Sequence, residues 1–104
     1  MLPAVKRSYA VTWQEPEAPA HAGKLELGAQ GIALEGLANS GRPAALLIPY
    51  EELSDLRLAA SGERVGGRPT LLIDRGDRGC LRVTGVGGPG VVSELVDALT
   101  RLMR

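Results

Sequence analysis

The glycine-rich run at residues 85–90 comes nearest, in this sequence, to a ligand-binding motif. Gly85, Gly87 and Gly90 have the spacing G-x-G-x-x-G. In dinucleotide-binding units this spacing joins a strand to a helix whose backbone N–H groups hold a pyrophosphate. Such units also need a second parallel strand and an acidic residue about 20 positions further on, and 14 residues follow Gly90. We therefore predict a strand-to-helix turn, with binding of a small molecule or an anion there as an alternative.

The single histidine and the single cysteine are not placed for catalysis or metal binding. His21 lies in the Pro- and Ala-rich stretch 14–23, where we predict a solvated loop, and Glu15 and Glu17 nearby lack metal-ligand spacing. Cys80 alternates with apolar residues and is predicted to be an inert thiol. A nucleophile needs a positioned base, so we expect no enzymatic activity, no cofactor and no metal.

Two acidic stretches could also carry chemistry. Glu51, Glu52 and Asp55 follow Pro49 and could act in acid–base catalysis, but they equally suit a solvated turn with a short helical element. The stretch DRGDRG at 74–79 has too few oxygen ligands and too many cations for a calcium loop. We predict a tight hairpin turn there.

The net charge of the chain limits the classes of partner that we expect it to bind. Twelve basic and twelve acidic residues give a net charge of zero, which disfavours a polyanion held by bulk electrostatics. Only three aromatic residues are present, and the tryptophan among them is an expected core residue, so we predict no nucleic-acid binding. The basic residues left as binding candidates are Lys24, Arg57, Arg64 and Arg68, of which the three arginines could form a local patch.

Hydrophobic periodicity predicts the elements that would position these residues. Short stretches of alternating apolar residues, separated by Gly- and Pro-containing turns, indicate about seven strands between residues 7 and 85. The spacing then changes to 3.6 residues over 89–103, which predicts an amphipathic helix beginning near Pro89. The predicted core comprises Leu25, Leu27, Ile32, Leu34, Leu56, Leu58, Leu71, Ile73, Leu81, Val83, Val92, Leu95, Val96 and Leu99.

These elements predict one mainly β domain over residues 1–104. Seven antiparallel strands with one apolar face curl or close to remove their edges, and a terminal helix can cover the open end. We therefore expect a seven-stranded antiparallel bent barrel or sandwich capped by the C-terminal helix.

This order of elements resembles the pleckstrin-homology-like (PH-like) superfold, closest to small bacterial PH-like and GRAM-type domains. The resemblance rests on a GKLELGAQGIALEG hairpin, an IPYEEL segment and a strand LRLAA. In members of the superfold that bind phosphoinositides, basic residues around the first hairpin loop hold the phosphates. The corresponding loop here, 14–24, carries Glu15 and Glu17 against Lys24 alone. We therefore expect no phosphoinositide binding, and keep a membrane-surface lipid module as an alternative.

The expected function is a non-catalytic binding or assembly module that docks a protein partner or a second copy of the chain. We predict the edges of the sheet at 44–48 and 55–60, where exposed backbone groups invite pairing, and a two-fold homodimer if the chain pairs with itself. One cysteine, no apolar run of about 20 residues and no signal-peptide pattern predict a cytoplasmic protein. Arg-, Ala- and Gly-rich composition suggests a bacterial source.

Overall fold

Seven β-strands and a C-terminal α-helix make up the chain in a computed structural model that describes residues 7–60, 62, 64–86 and 89–102. Short 3₁₀ turns at Tyr50–Glu52, Val65–Gly67 and Gly76–Arg78 connect some of the strands. The strands are β1 Arg7–Gln14, β2 His21–Leu27, β3 Gly31–Leu37, β4 Pro43–Pro49, β5 Asp55–Leu58, β6 Thr70–Asp74 and β7 Cys80–Gly85, and the helix α1 is Pro89–Leu102. The predicted mainly β class, seven strands and terminal helix are confirmed.

All strand pairs are antiparallel, and the strands form one sheet in the order β4-β3-β2-β1-β7-β6-β5. The long strand β1 pairs with β2 on one side and with β7 on the other, so it joins the two halves of the sheet. The sheet curls around a shared core but does not close, because β4 and β5 do not pair in the described part of the chain. The two predicted edges are therefore the two edges observed.

The core lies on the inner face of the curled sheet, under the helix. Strand residues from both halves of the sheet contribute buried side chains, and α1 packs mainly on β7 and β6 through Val92, Leu95 and Leu99. Of the predicted core residues, Leu56 and Val96 are half-buried against it, and Leu58 is not buried. The prediction for Leu58 is wrong: it pairs with Leu71 at the last position of an edge strand and is 62% exposed.

Trp13 joins three strands on this inner face. The indole is buried, and its Nε1 donates a hydrogen bond to the main-chain oxygen of Glu35 at 3.1 Å. A Cβ on Gly23 would lie 2.1 Å from that same oxygen, so only glycine allows this close approach of β2 to β3. His21 begins β2 and stacks on Trp13, with ring centroids 4.7 Å apart. The prediction of a solvated loop histidine is therefore wrong.

Candidate interaction surface

Lys24, the first of the basic candidates, lies within β2 and not in the β1–β2 loop, contrary to the sequence prediction. Its Nζ lies 2.8 Å from Glu26 Oε1 and 3.8 Å from Glu35 Oε1. The hydrogen bond and negative charge of Glu26, with the charge of Glu35, raise the pKa of Lys24. The charge of Lys24 is thus offset by two carboxylates on the outer face of the sheet, which leaves little attraction for a phosphate.

The three arginine candidates lie on β5 and on the connection after it. Arg57 points outward from β5 into a cleft of about 340 Å³. Arg64 and Arg68 are exposed on the β5–β6 connection, where the backbone N–H of Arg68 binds the Val65 oxygen at 3.1 Å. The neighbouring cation in the Arg57 cleft is Arg82 of β7, which was not among the predicted binding candidates.

That cleft lies between the β1–β2 loop, residues 15–20, and the outer face of β5, β6 and β7. Two contacts at the start of the loop hold it in place. Pro16 packs on Gly79, where a Cβ would come within 2.8 Å of its ring, and Glu15 pairs with the buried Arg75 at 3.5 Å. Glu15 and Glu17 line the cleft together with its two arginines, so acidic and basic side chains are equal in number along its walls.

The remaining sequence candidates lie around the end of β7 and at the Arg57 cleft. Gly85 ends β7 and α1 begins at Pro89, as predicted for a strand-to-helix turn, while Gly87 and Gly88 lie outside the described residues. Cys80 is half-buried on the outer face. Across the described ranges, no group of three or more His, Cys, Asp or Glu side chains could hold a metal ion.

The predicted turns are present. Glu51 and Glu52 lie in the 3₁₀ turn Tyr50–Glu52, and Asp55, the third member of that cluster, begins β5. The 74–79 stretch contains the turn Gly76–Arg78 between β6 and β7. The two turns lie close to each other, with Arg78 Nε 3.6 Å from Glu52 Oε1.

Strand β4 presents the more open of the two sheet edges. The N–H of Tyr50 binds the Gln30 oxygen at 3.1 Å, and the N–H of Ala38 binds the Arg42 oxygen at 3.0 Å. These bonds lie at the two ends of the β3–β4 pair. Because bonded and non-bonded residue pairs alternate along an antiparallel pair, they show that the even-numbered residues of β4 direct their main-chain groups to β3. The odd-numbered residues direct their N–H and C=O groups to the free edge.

Two prolines restrict what this edge can donate. Pro43 and Pro49 are both odd-numbered and have no N–H, so the outward donors of β4 are those of Ala45 and Leu47. Prolines are typical of edge strands because they limit pairing. Here the two prolines lie at the ends of β4. The outward N–H groups between them, those of Ala45 and Leu47, have no strand partner in the described sheet.

The two edges differ in length and charge. Strand β4 has seven residues, and no charged side chain occurs between Arg42 and Glu51. Strand β5 has four residues, two of which are Asp55 and Arg57. Short, charged edge strands are protected against pairing, and long, uncharged ones are not. The β4 edge is therefore the less protected of the two.

The outer face beside this edge is concave. A shallow groove of about 710 Å³ runs mostly over small residues of β2, β3 and β4, among them Ala22, Gly36 and Ala45, and it also contains the ion pair of Lys24 and Glu35. Leu37, which is 55% exposed, lines the groove, and Leu47, which is 70% exposed, lies two residues beyond Ala45 on the same face of β4. This groove and the open strand together form what we call the β4 surface: the β4 edge with the outward side chains of Pro43, Ala45 and Leu47.

Comparison of the sequence with models of protein families and with curated proteins found no match. The interpretation of this surface therefore depends on its own geometry. Among the described residues, no helix has the length and apolar character needed to cross a membrane.

Proposed function

We propose that this chain is a non-catalytic protein-interaction module of the PH-like superfold, and that it binds an extended, apolar polypeptide segment along the β4 surface. The curled sheet of seven antiparallel strands with a C-terminal helix supports the PH-like assignment. The observation that carries the function is the β4 edge, which is long, uncharged and unpaired in the described sheet.

Strand addition explains why this edge suits a peptide. An added strand gains affinity from main-chain hydrogen bonds and specificity from pockets for alternate side chains. Ala45 and Leu47 supply two outward donors, and the neighbouring groove accepts side chains over Pro43 and Ala45. Leu47, the most exposed large apolar side chain among the described residues, would lose its contact with water on binding.

The described surface gives less support to the alternatives. A lipid headgroup at Lys24 would face Glu26 and Glu35. An anion in the Arg57 cleft would face Glu15 and Glu17. An apolar peptide on the β4 surface needs no charged partner, and the two charges that line the groove, Lys24 and Glu35, are opposite in sign and exposed.

The test is a selection from a displayed library of ten-residue random peptides on the immobilised wild-type protein. Selected peptides are then measured for binding to Ala45→Pro, which removes one outward N–H without touching a bond to β3. Leu58→Pro is the matched control, because the bond from the Ala59 N–H to the Thr70 oxygen of β6 shows that the preceding residue, Leu58, directs its N–H to the β5 edge. Circular dichroism of each variant checks that it folds.

We expect apolar peptides whose binding is reduced at least tenfold by Ala45→Pro and kept by Leu58→Pro. A library that yields no binder to the wild type, or binders equally tolerant of Ala45→Pro, would contradict the proposal. Binding lost only with Leu58→Pro would move the function to the β5 edge.

A further inference from the structure

We propose that the partner of the β4 surface is a second copy of this chain, with the two β4 strands paired antiparallel about a two-fold axis at Leu46. This inference rests on the proposed function and names its partner. It follows from the symmetry of the strand itself, Pro43–Pro49, which has a proline at each end and Leu46 at its centre.

The symmetry matches the hydrogen-bonding groups of the free edge. With Leu46 opposite Leu46 of the second copy, Ala45 lies opposite Leu47 of that copy and exchanges both of its main-chain bonds with it. The two-fold axis repeats the exchange, so the two copies use all four outward donors. Pro43 then lies opposite Pro49 of the second copy, where neither residue has an N–H to leave unpaired.

Slipped registers fit less well. Moving the axis to Ala45 or to Leu47 keeps four main-chain bonds, but it reduces the overlap of the two strands from seven residues to five. In the Ala45 register, Pro49 would also lie opposite Gly41, whose φ of +85° is outside the strand conformation. The register centred on Leu46 is therefore the one that keeps both strands fully paired.

The side chains agree with this pairing on both faces. On the inner face, Leu46 is half-buried at the margin of the core, and a non-hydrogen-bonded pair brings the two Cα atoms to about 4.5 Å. On the outer face, each Leu47 lies beside Ala45 of the other copy, and the two Leu47 side chains are diagonal neighbours at about 7–8 Å. The most exposed leucine thus meets an apolar surface.

Charge does not oppose the association. The eight residues from Pro43 to Tyr50 carry none, and the whole chain has a net charge of zero, so two copies do not repel one another at long range. A strand of seven residues is about 23 Å long. The interface is small, and dimerisation should therefore depend on concentration.

The register is tested by disulfide trapping in a Cys80→Ser background, with oxidised glutathione as the oxidant. Leu46→Cys places two thiols at the axis, and we expect a cross-linked dimer. The matched control is Ala44→Cys, on the same face of the same strand, where the two thiols are offset by four residues, about 13 Å. We expect at least tenfold slower cross-linking of Ala44→Cys.

Light scattering over a concentration series on the full chain gives an independent measurement. We expect the wild type and Leu58→Pro to dimerise with rising concentration, and Ala45→Pro to remain monomeric. A wild-type monomer at every concentration would overturn the second-copy proposal, while peptides selected on the β4 surface would leave the proposed function standing. A dimer that survives Ala45→Pro, or equal cross-linking of both cysteine variants, would place the interface elsewhere and also overturn the proposal.

Discussion

The indole N–H of Trp13 on β1 and the main-chain oxygen of Glu35 on β3 are joined by a 3.1 Å hydrogen bond across the intervening strand β2. The bond fixes the spacing of three strands at the position where Gly23 of β2 lies against the β3 backbone. Trp13→Phe removes this donor and the larger ring, and the Glu35 oxygen keeps only its main-chain bond from Lys24 on β2. We expect a loss of about 1–3 kcal/mol in the free energy of unfolding, measured by urea denaturation with circular dichroism. A loss below about 0.5 kcal/mol would show that the bond does not hold the strands together.

Gly23 is required by the same close approach. A Cβ there would lie 2.1 Å from the Glu35 oxygen and 2.5 Å from Gly36 Cα, so we expect Gly23→Ala to destabilise the fold by more than about 3 kcal/mol. Gly90→Ala is the control, since a Cβ on Gly90 meets nothing within 4 Å and the residue lies in α1. That change should be neutral or stabilise by up to about 1 kcal/mol. Equal effects of the two substitutions on the thermal midpoint would refute this explanation.

Glu15 holds the β1–β2 loop to the buried Arg75. The Arg75 side chain is 2% exposed, and its Nε has no hydrogen-bond partner, so removing the charge of Glu15 leaves a buried cation without compensation. Glu15 is 42% exposed and solvent weakens the pair, which gives an expected cost of about 1–2 kcal/mol for Glu15→Gln. Glu17→Gln, on the exposed part of the same loop, should change stability by less than about 0.5 kcal/mol. Chemical denaturation of both variants makes the comparison, and equal costs would argue against the ion pair.

Tyr50 should make stability depend on pH in the alkaline range. Its hydroxyl donates to the Gly28 oxygen at 2.6 Å, and burial raises its pKa above the ordinary value of 10.0. The folded chain therefore keeps the proton longer than the unfolded chain, so the free energy of unfolding falls as pH rises above 10.0. Tyr50→Phe should cost about 0.5–1.5 kcal/mol at pH 7, and this difference from the wild type should shrink above pH 10.

Lys24 also titrates in that range. Glu26 raises its pKa above 10.5, so its stabilising contribution is present below pH 10.5 and is lost as the pH rises through the folded-state pKa. Both the wild type and Tyr50→Phe carry Lys24, and the difference between their thermal midpoints isolates the tyrosine. A difference that does not change between pH 7 and pH 11 would contradict the assignment to Tyr50.

Most of the fold could be predicted from hydrophobic periodicity, because each strand alternates and the helix has its own period. Periodicity did not predict the coverage of the outer face. Leu72 alternates out of the core pattern yet is buried, since it lines the cleft beneath the β1–β2 loop. The continuous apolar run Leu71–Leu72–Ile73 could have predicted that both faces of β6 are covered, because a strand buried on both faces does not alternate between apolar and polar residues.

The candidate site was only partly predictable. The edge positions of β4 and β5 followed from the number and order of strands, but the choice between them required the hydrogen-bonding parity of the β3–β4 pair. That parity places Pro43 and Pro49 at the free edge, where the missing N–H of each proline removes a donor for pairing. The surroundings of the basic candidates were not predictable for a different reason. Lys24 lies beside carboxylates from its own strand and from the next, and such cross-strand pairing needs a register that sequence alone does not provide.

Amide hydrogen exchange at the β4 edge tests most directly whether β4 is an open edge that pairs with a second copy of the chain. The N–H groups of Ala45 and Leu47 face the free edge, while that of Leu46 faces β3. We predict that exchange at Ala45 and Leu47 is fast in dilute protein and slows at least tenfold as the concentration rises, while exchange at Leu46 changes much less. Fast exchange at Ala45 and Leu47 at every concentration, or protection of both already in dilute monomer, would contradict the claim that β4 is an open edge that pairs with a second copy.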